Sequence, residues 1–325
     1  MDAGAVYNPF AHGTDTELAD KALACETYTE PHYLRQAQRY LGHTVRTLKG
    51  TRLPVTVATL SEIMVPDMLE WTSRALPDEQ QAKQVHDYVD SLSAEPRRGL
   101  AGTRDRLAIL AESDVAQYLC REEPTRHTID LLAAVKRRDV VLFRLDSDRR
   151  PLLASMLAAA IVQDLLTIAA ELQQDPVPTV VLVDEFSAVA PAGVVRLFGR
   201  GRSAGLSLLL GTQELADLRP ADNQSLADQV LGNITTLVAH RQVVPDSAET
   251  LAGVMGTRGA WTHTEKTENW LLAATPSEEG TRTRTRVFIV HPDTIKRLPT
   301  GTAAVTSPGH DEAWITRMHH PKNAR

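Results

Sequence analysis

Two adjacent carboxylates, Asp184 and Glu185, follow directly on the apolar run Val180-Val181-Leu182-Val183. A carboxylate so placed can hold a magnesium ion through water, and its neighbour can orient or activate a water for attack on a phosphate. That chemistry needs the pair where ligands bind, which in open α/β sheets is the carboxyl edge of the strands. The run is bounded by Pro176 and Pro178 before it and by Ser187 and Pro191 after it, so it reads as a strand buried on both faces. Taken alone, Asp184 reads equally as a helix cap, with Glu185 in solvent. A second polar strand end comes at Gln213, after Leu208-Leu209-Leu210-Gly211-Thr212. An amide there can accept from a water and donate to a phosphate oxygen, or it can simply cap a turn.

Between these strands lies Gly199-Arg200-Gly201-Arg202-Ser203-Ala204-Gly205. Its glycine spacing is not the dinucleotide fingerprint, which also needs a strand just ahead of it. Arg200 and Arg202 suit the phosphates of a neighbouring subunit, as arginine fingers do. A solvated helix end is the alternative. The motif Gly-x-x-x-x-Gly-Lys-Ser/Thr occurs nowhere, nor does a single Gly-Lys dipeptide. Without such a loop nothing in the sequence cradles β- and γ-phosphates, so half of a nucleotide site is present.

The elements that must position these groups alternate. A strand is expected at 140–145, a long helix with Leu153, Leu157, Ile161, Leu165, Ile168 and Leu172 on one face, and the strand at 180–183. A helix over 192–203, a strand at 206–210, a helix near 223–231, a strand at 236–241 and a helix at 246–255 follow. This order predicts βαβ units and a parallel sheet. Residues 24–122 have helical periodicity instead, with Pro31, Ser61, Pro66 and Asp78 as helix openers and a basic turn at 95–99. Residues 257–285 read as a polar excursion, followed by strands at 287–290, 303–306 and 313–318. The predicted domains are therefore 1–23, 24–122, 123–257 and 258–325.

Composition sets bounds on this picture. The 325 residues are 42% apolar, enough for a sizeable core, and the net charge of −6 offers no general attraction to nucleic acid. Two cysteines, Cys25 and Cys120, make no disulfide framework and fit a reducing compartment. The apolar run 152–162 is too short to cross a bilayer. No signal peptide is visible, so a cytoplasmic chain is expected.

These residues resemble the TraG/TraD-type coupling proteins of conjugation and type IV secretion, within the FtsK/HerA group of DNA-pumping ATPases. The likeness rests on Tyr7-Asn8-Pro9-Phe10 with the stretch from Glu26 to Tyr33, on residues 102–107, and on residues 140–146. It continues through Val183-Asp184-Glu185-Phe186, Gly201 to Gly205, Gly211-Thr212-Gln213, Val290-His291-Pro292 and Leu298 to Gly301. The resemblance implies a RecA-like α/β fold, incomplete without its phosphate-loop strand, carrying an inserted all-α domain. It implies Asp184 and Glu185 as the Walker B pair, with Asp184 on Mg2+, Gln213 as phosphate sensor, Arg202 as a finger acting in trans, and Thr212 on the nucleotide. ATP and Mg2+ are the implied cofactors, given a phosphate loop from a missing amino-terminal region or another polypeptide. DNA, a relaxase or secretion substrate, a membrane channel and a homo-hexamer are the implied partners, at the inner face of the plasma membrane. A non-catalytic recruitment module is the rival reading, and an FtsK-like translocase fragment is a third.

Weaker signals complete the inventory. Arg282, Arg284 and Arg286 alternate with threonines, so an extended chain would align all three on one face as a track for DNA phosphates or a solvated hairpin face. Arg137-Arg138 reads as surface, His319-His320 as a solvated tail, and the histidines show no metal spacing. Ser187 and Ser203 lack a base at a suggestive position.

Overall fold

The computed structural model describes residues 4–24, 30–119, 127–188, 191–219, 225–270 and 273–319. Cys25, Glu26, Cys120 and His320 lie outside the described residues, as does the start of the helix expected near 223. The chain divides into two compact units, Met1–Thr212 and Gln213–Arg325.

The first unit begins with β1 (Val6–Tyr7) and α1 (Asp15–Leu23). Five helices follow: α2 (Pro31–Gly50), α3 (Val57–Ile63), α4 (Pro66–Ser73), α5 (Glu79–Asp90) and α6 (Ala94–Ala111). Local chemistry starts each one. Thr14 and Glu17 form a reciprocal capping box on α1, Pro31 and Pro66 occupy first turns, and Asp78 accepts from the N–H groups of Gln80 and Gln81. Two expectations fail here. Thr56, bonded to Thr59, opens α3, whereas Ser61 lies inside it. The basic stretch 95–99 is no turn but the opening of α6, where Pro96 falls among amides that lack intrahelical partners anyway. Tyr40, Leu41, Val45, Leu48, Leu60 and Leu69 form the fully buried centre of this helical region.

The remainder of the first unit is α/β. Its elements are β2 (Thr128–Ile129), α7 (Leu131–Arg137), α8 (Pro151–Glu171), β3 (Thr179–Val183), α9 (Pro191–Gly201) and β4 (Leu206–Leu210). Strand β1 pairs parallel with β2, and β3 pairs parallel with β4, Thr179 opposite Leu206 through Val183 opposite Leu210. Helix α9 lies against α8, so closely that a Cβ on Gly193 would stand 2.9 Å from a Val162 methyl. Helix α8 alone among the described residues is long and apolar enough to cross a membrane, but 67% of its apolar window is buried inside the protein. It is the central helix of this unit. The strand expected at 140–145 is not formed: the segment pairs with no strand among the described residues, although its burial alternates, with Val141, Phe143 and Leu145 half-buried and Val140, Leu142 and Arg144 exposed. Nor is β3 buried on both faces. Val181 and Val183 turn inward while Val180 and Leu182 are exposed, because among the described residues the helices cover only one side of the layer.

The second unit holds α10 (Leu226–Asn233), β5 (Leu237–Ala239), α11 (Pro245–Met255), β6 (Thr257–Trp270), β7 (Ala273–Phe288), α12 (Pro292–Lys296), β8 (Thr302–Thr306) and β9 (Trp314–Arg317). The order β5-β8-β9 is antiparallel throughout, so the parallel expectation holds for β3 and β4 but not for β5. The expected excursion at 257–285 is instead a long antiparallel hairpin of β6 and β7. The ladder is made by backbone N–H and C=O groups, so a polar sequence can form it.

Candidate nucleotide site

Because β3 and β4 are parallel and in register, Asp184 and Gly211 leave the sheet side by side at its carboxyl edge. The ladder runs one step further. The Gly211 N–H donates to Val183 O and the Phe186 N–H donates to Gly211 O, both at 2.9 Å. Only glycine fits this closeness, since a Cβ at position 211 would stand 2.9 Å from Asp184 Oδ1. That same oxygen accepts the Glu185 N–H at 3.1 Å, which fixes the carboxylate. Glu185 takes a left-handed backbone, φ 49°, at a cost of roughly 1–2 kcal/mol for a residue with a side chain. Buried Phe186 anchors the turn from behind. The outcome is two exposed carboxylates at the end of a strand pair.

An exposed carboxylate with one oxygen already seated is a donor suited to a hard, oxygen-seeking cation such as Mg2+, and in that respect the residues present fit. Thr212 is exposed beside Gly211 on the same edge. Arg200 and Arg202 are elsewhere. Helix α9 carries the chain back to the amino end of β4, whose five residues separate these arginines from the Asp184 edge by about 16 Å. Within one chain the structure does not bring them to the carboxylates. The return turn depends on Gly205, φ 81°, where a Cβ would meet Val177 O at 2.9 Å.

Gln213 opens the second unit. Its carbonyl accepts from Gln242 Nε2 at 3.1 Å, and Gln242 Oε1 accepts from the Leu215 N–H at 3.4 Å. Gln242 thus clips the loop after β4, a role no sequence signal announced. On the hairpin, the backbone pairs Trp261 with Arg284, and the Arg282 guanidinium stands 5.9 Å from the centre of the exposed Trp261 ring. Arg286 donates to Thr257 Oγ1 at 2.8 Å and to Thr257 O at 3.1 Å. Arg282, Arg284 and Arg286 therefore share one face, as their spacing suggests.

The residues near the amino terminus serve packing. Tyr7 Oη donates to Asp164 Oδ2 at 2.8 Å, Asn8 Nδ2 donates to Val55 O at 2.9 Å, and Phe10 is buried. Lys21, missed in the sequence, is fully buried and donates to Asp164 Oδ1 at 2.6 Å, His12 O at 2.6 Å and Pro9 O at 3.1 Å. Burial and the Asp164 carboxylate raise the Tyr7 hydroxyl pKa well above its ordinary value.

Residues 178–300 match the family described as the TraM recognition site of TraD and TraG. The matched segment takes in β3, α9, β4, the hairpin and α12, and so both carboxylates and the three hairpin arginines. The fold is that of a conjugative coupling protein. The unbound bacterial conjugative coupling protein TrwBdeltaN70 has 15% identity and a TM-score of 0.66 over 97% of this chain and 73% of its own. The plasmid coupling protein TrwB in complex with ADP and Mg2+ has 16% identity and a TM-score of 0.70 over 99% and 73%. TrwB bound to the ATP analogue ADPNP gives 15% and 0.68 over 98% and 72%. No curated protein sequence matches the chain.

Proposed function

We propose that this chain is the Walker B-bearing portion of a DNA-translocating coupling ATPase. The observation that carries the reading is the in-register parallel pair setting Asp184 beside Gly211 at one sheet edge. TrwB, of similar fold, has been seen with ADP and Mg2+ and with an ATP analogue. Asp184 holds Mg2+ through water, and Glu185 orients the attacking water. Thr212 contacts the nucleotide. Gln213, three residues beyond Leu210 in the chain, senses the γ-phosphate through its amide. Arg202 sits too far from its own Asp184 to help there and serves the site of a neighbouring subunit in a hexamer. DNA runs along Arg282, Arg284 and Arg286, and the assembly works at the inner face of the plasma membrane. Cradling the β- and γ-phosphates requires a Gly-rich loop that this sequence does not contain.

The test is Glu185→Gln, made with such a loop supplied in the same or a companion polypeptide. ATP turnover should vanish while nucleotide binding stays. Undiminished turnover removes the assignment.

A second reading has its own support, because the matched family is described by recognition of TraM rather than by catalysis. Here residues 178–300 are a recruitment surface. A chain that binds a TraM-type protein yet never turns over ATP, whatever loop is supplied, would favour it.

A further inference from the structure

Helices α4 and α5 share a buried cluster that includes Leu69, Val85 and Val89. The residue after each of these stands at the rim of that cluster: Glu70 on α4, and His86 and Asp90 one turn apart on α5. His86 Nδ1 lies 3.3 Å from Glu70 Oε1, and His86 Nε2 lies 3.2 Å from Asp90 Oδ2. The three residues offer ligand atoms that all lie within 4.8 Å of one another.

Their separations say what the group suits. A charged hydrogen bond closes to about 2.7–2.9 Å. Two ligands bonded at about 2.0–2.1 Å around a tetrahedral ion stand roughly 3.3 Å apart. Both contacts of the His86 ring have the second spacing. The ring is also set as metal-bound imidazoles are, with a carboxylate at one nitrogen to fix the tautomer and orientation while the other nitrogen is the ligand. Glu70 is the fixing group and is itself held, since its Oε1 accepts from Arg74 Nη2 at 3.3 Å. That leaves Nε2 of His86 and Oδ2 of Asp90, an i,i+4 pair on one helix face, to bind a cation. An imidazole beside a carboxylate selects a first-row ion such as Zn2+ over Mg2+, which takes oxygen ligands. Histidine spacing gives no sign of this group, because both partners are carboxylates and one comes from another helix. A protonated His86 bridging the two carboxylates is the alternative account of the same contacts.

We propose that His86 and Asp90, with Glu70 positioning the imidazole, form a site for a divalent ion of the Zn2+ class that clips α5 to α4. Water completes its coordination. The site is separate from the carboxylates at the β3 edge and stands whether or not the chain supports ATP hydrolysis.

The test is a zinc titration of the full, untagged chain, read by competition with a chromophoric chelator and by melting temperature. The chain has 11 histidines and 2 cysteines, so the variants rather than the stoichiometry carry the assignment. His86→Ala and Asp90→Asn should each weaken Zn2+ binding at least about 10-fold and remove the zinc-dependent rise in melting temperature. Glu70→Gln keeps both ligands and should weaken binding about 10- to 100-fold. Mg2+ should raise the melting temperature of none of them. The three side chains are 25% or more exposed, so all variants should keep the native circular dichroism. Should His86→Ala not fold, Asp90→Asn and Glu70→Gln decide alone. No zinc binding by the native chain, or an affinity unaltered in the variants, would overturn the site and leave the proton bridge. A Mg2+ response equal to that of Zn2+ would overturn it as well.

Discussion

At the residue scale, the candidate site depends on what two side chains cannot be. Gly211 has no Cβ because Asp184 Oδ1 occupies that space, and Glu185 accepts a left-handed backbone so that its carboxylate stays at the edge. Gly211→Ala should displace the Asp184 carboxylate from its Glu185 amide. With a phosphate loop supplied, Mg-dependent ATP turnover should fall at least about 10-fold while circular dichroism holds. Retained turnover would show that the closeness has no bearing on chemistry. His43 makes a separate prediction. Its ring stacks on Tyr88 with centroids 4.4 Å apart, and burial, then Arg46 and Arg39, lower its pKa from 6.5 to about 4. The folded state disfavours the proton that the unfolded state binds, so this stability is full above about pH 6.5 and is lost as pH falls toward 4. Melting temperature measured from pH 7 to 4.5 should drop more for the native chain than for His43→Gln.

At the scale of elements, one buried ion pair ties the amino-terminal segment to the central helix. Lys21 on α1 and Asp164 on α8 are bonded at 2.6 Å in full burial, with Tyr7 of β1 on the second carboxylate oxygen. Removing one partner leaves a buried charge alone, which costs about 3–5 kcal/mol, whereas replacing both with apolar groups can come near neutral. Lys21→Met should lower unfolding free energy by about that amount in a denaturant titration, and Lys21→Met/Asp164→Leu should regain most of it. Equal losses in both variants would refute the pairing argument. Neither residue stood out in the sequence. A lysine on an amphipathic helix and an aspartate in an apolar run give no sign that they meet from 143 positions apart.

At the scale of the whole molecule, the chain carries an acidic net charge of −6 and a local basic strip on the hairpin. Binding to DNA through that strip should be electrostatic and insensitive to sequence, with Trp261 adding a stacking surface. Arg282→Ala/Arg284→Ala should weaken the affinity of the full chain for single-stranded DNA and reduce its salt slope by about 1–2. Trp261→Ala should weaken affinity without changing that slope. A double variant that binds as before, with the same salt slope, would remove DNA from the hairpin.

Much of this was legible in the residues themselves. The β3 and β4 strands, the helices between 31 and 111, the Asp184–Glu185 strand end and the shared face of the three arginines all follow from period and local chemistry, because apolar spacing and caps act over a few residues. The length of the hairpin was not legible, although the arginine alternation allowed a hairpin face, because a run of polar groups reads as loop. What only the tertiary structure decided is which groups meet. Parallel register put Gly211 against Asp184, the return path of α9 set Arg202 about 16 Å away, and long-range burial joined Lys21 to Asp164. Exposure belongs to the same class. A run of Val and Leu encodes the capacity to be buried, but only packed neighbours decide whether it is, and here Val180 and Leu182 face water.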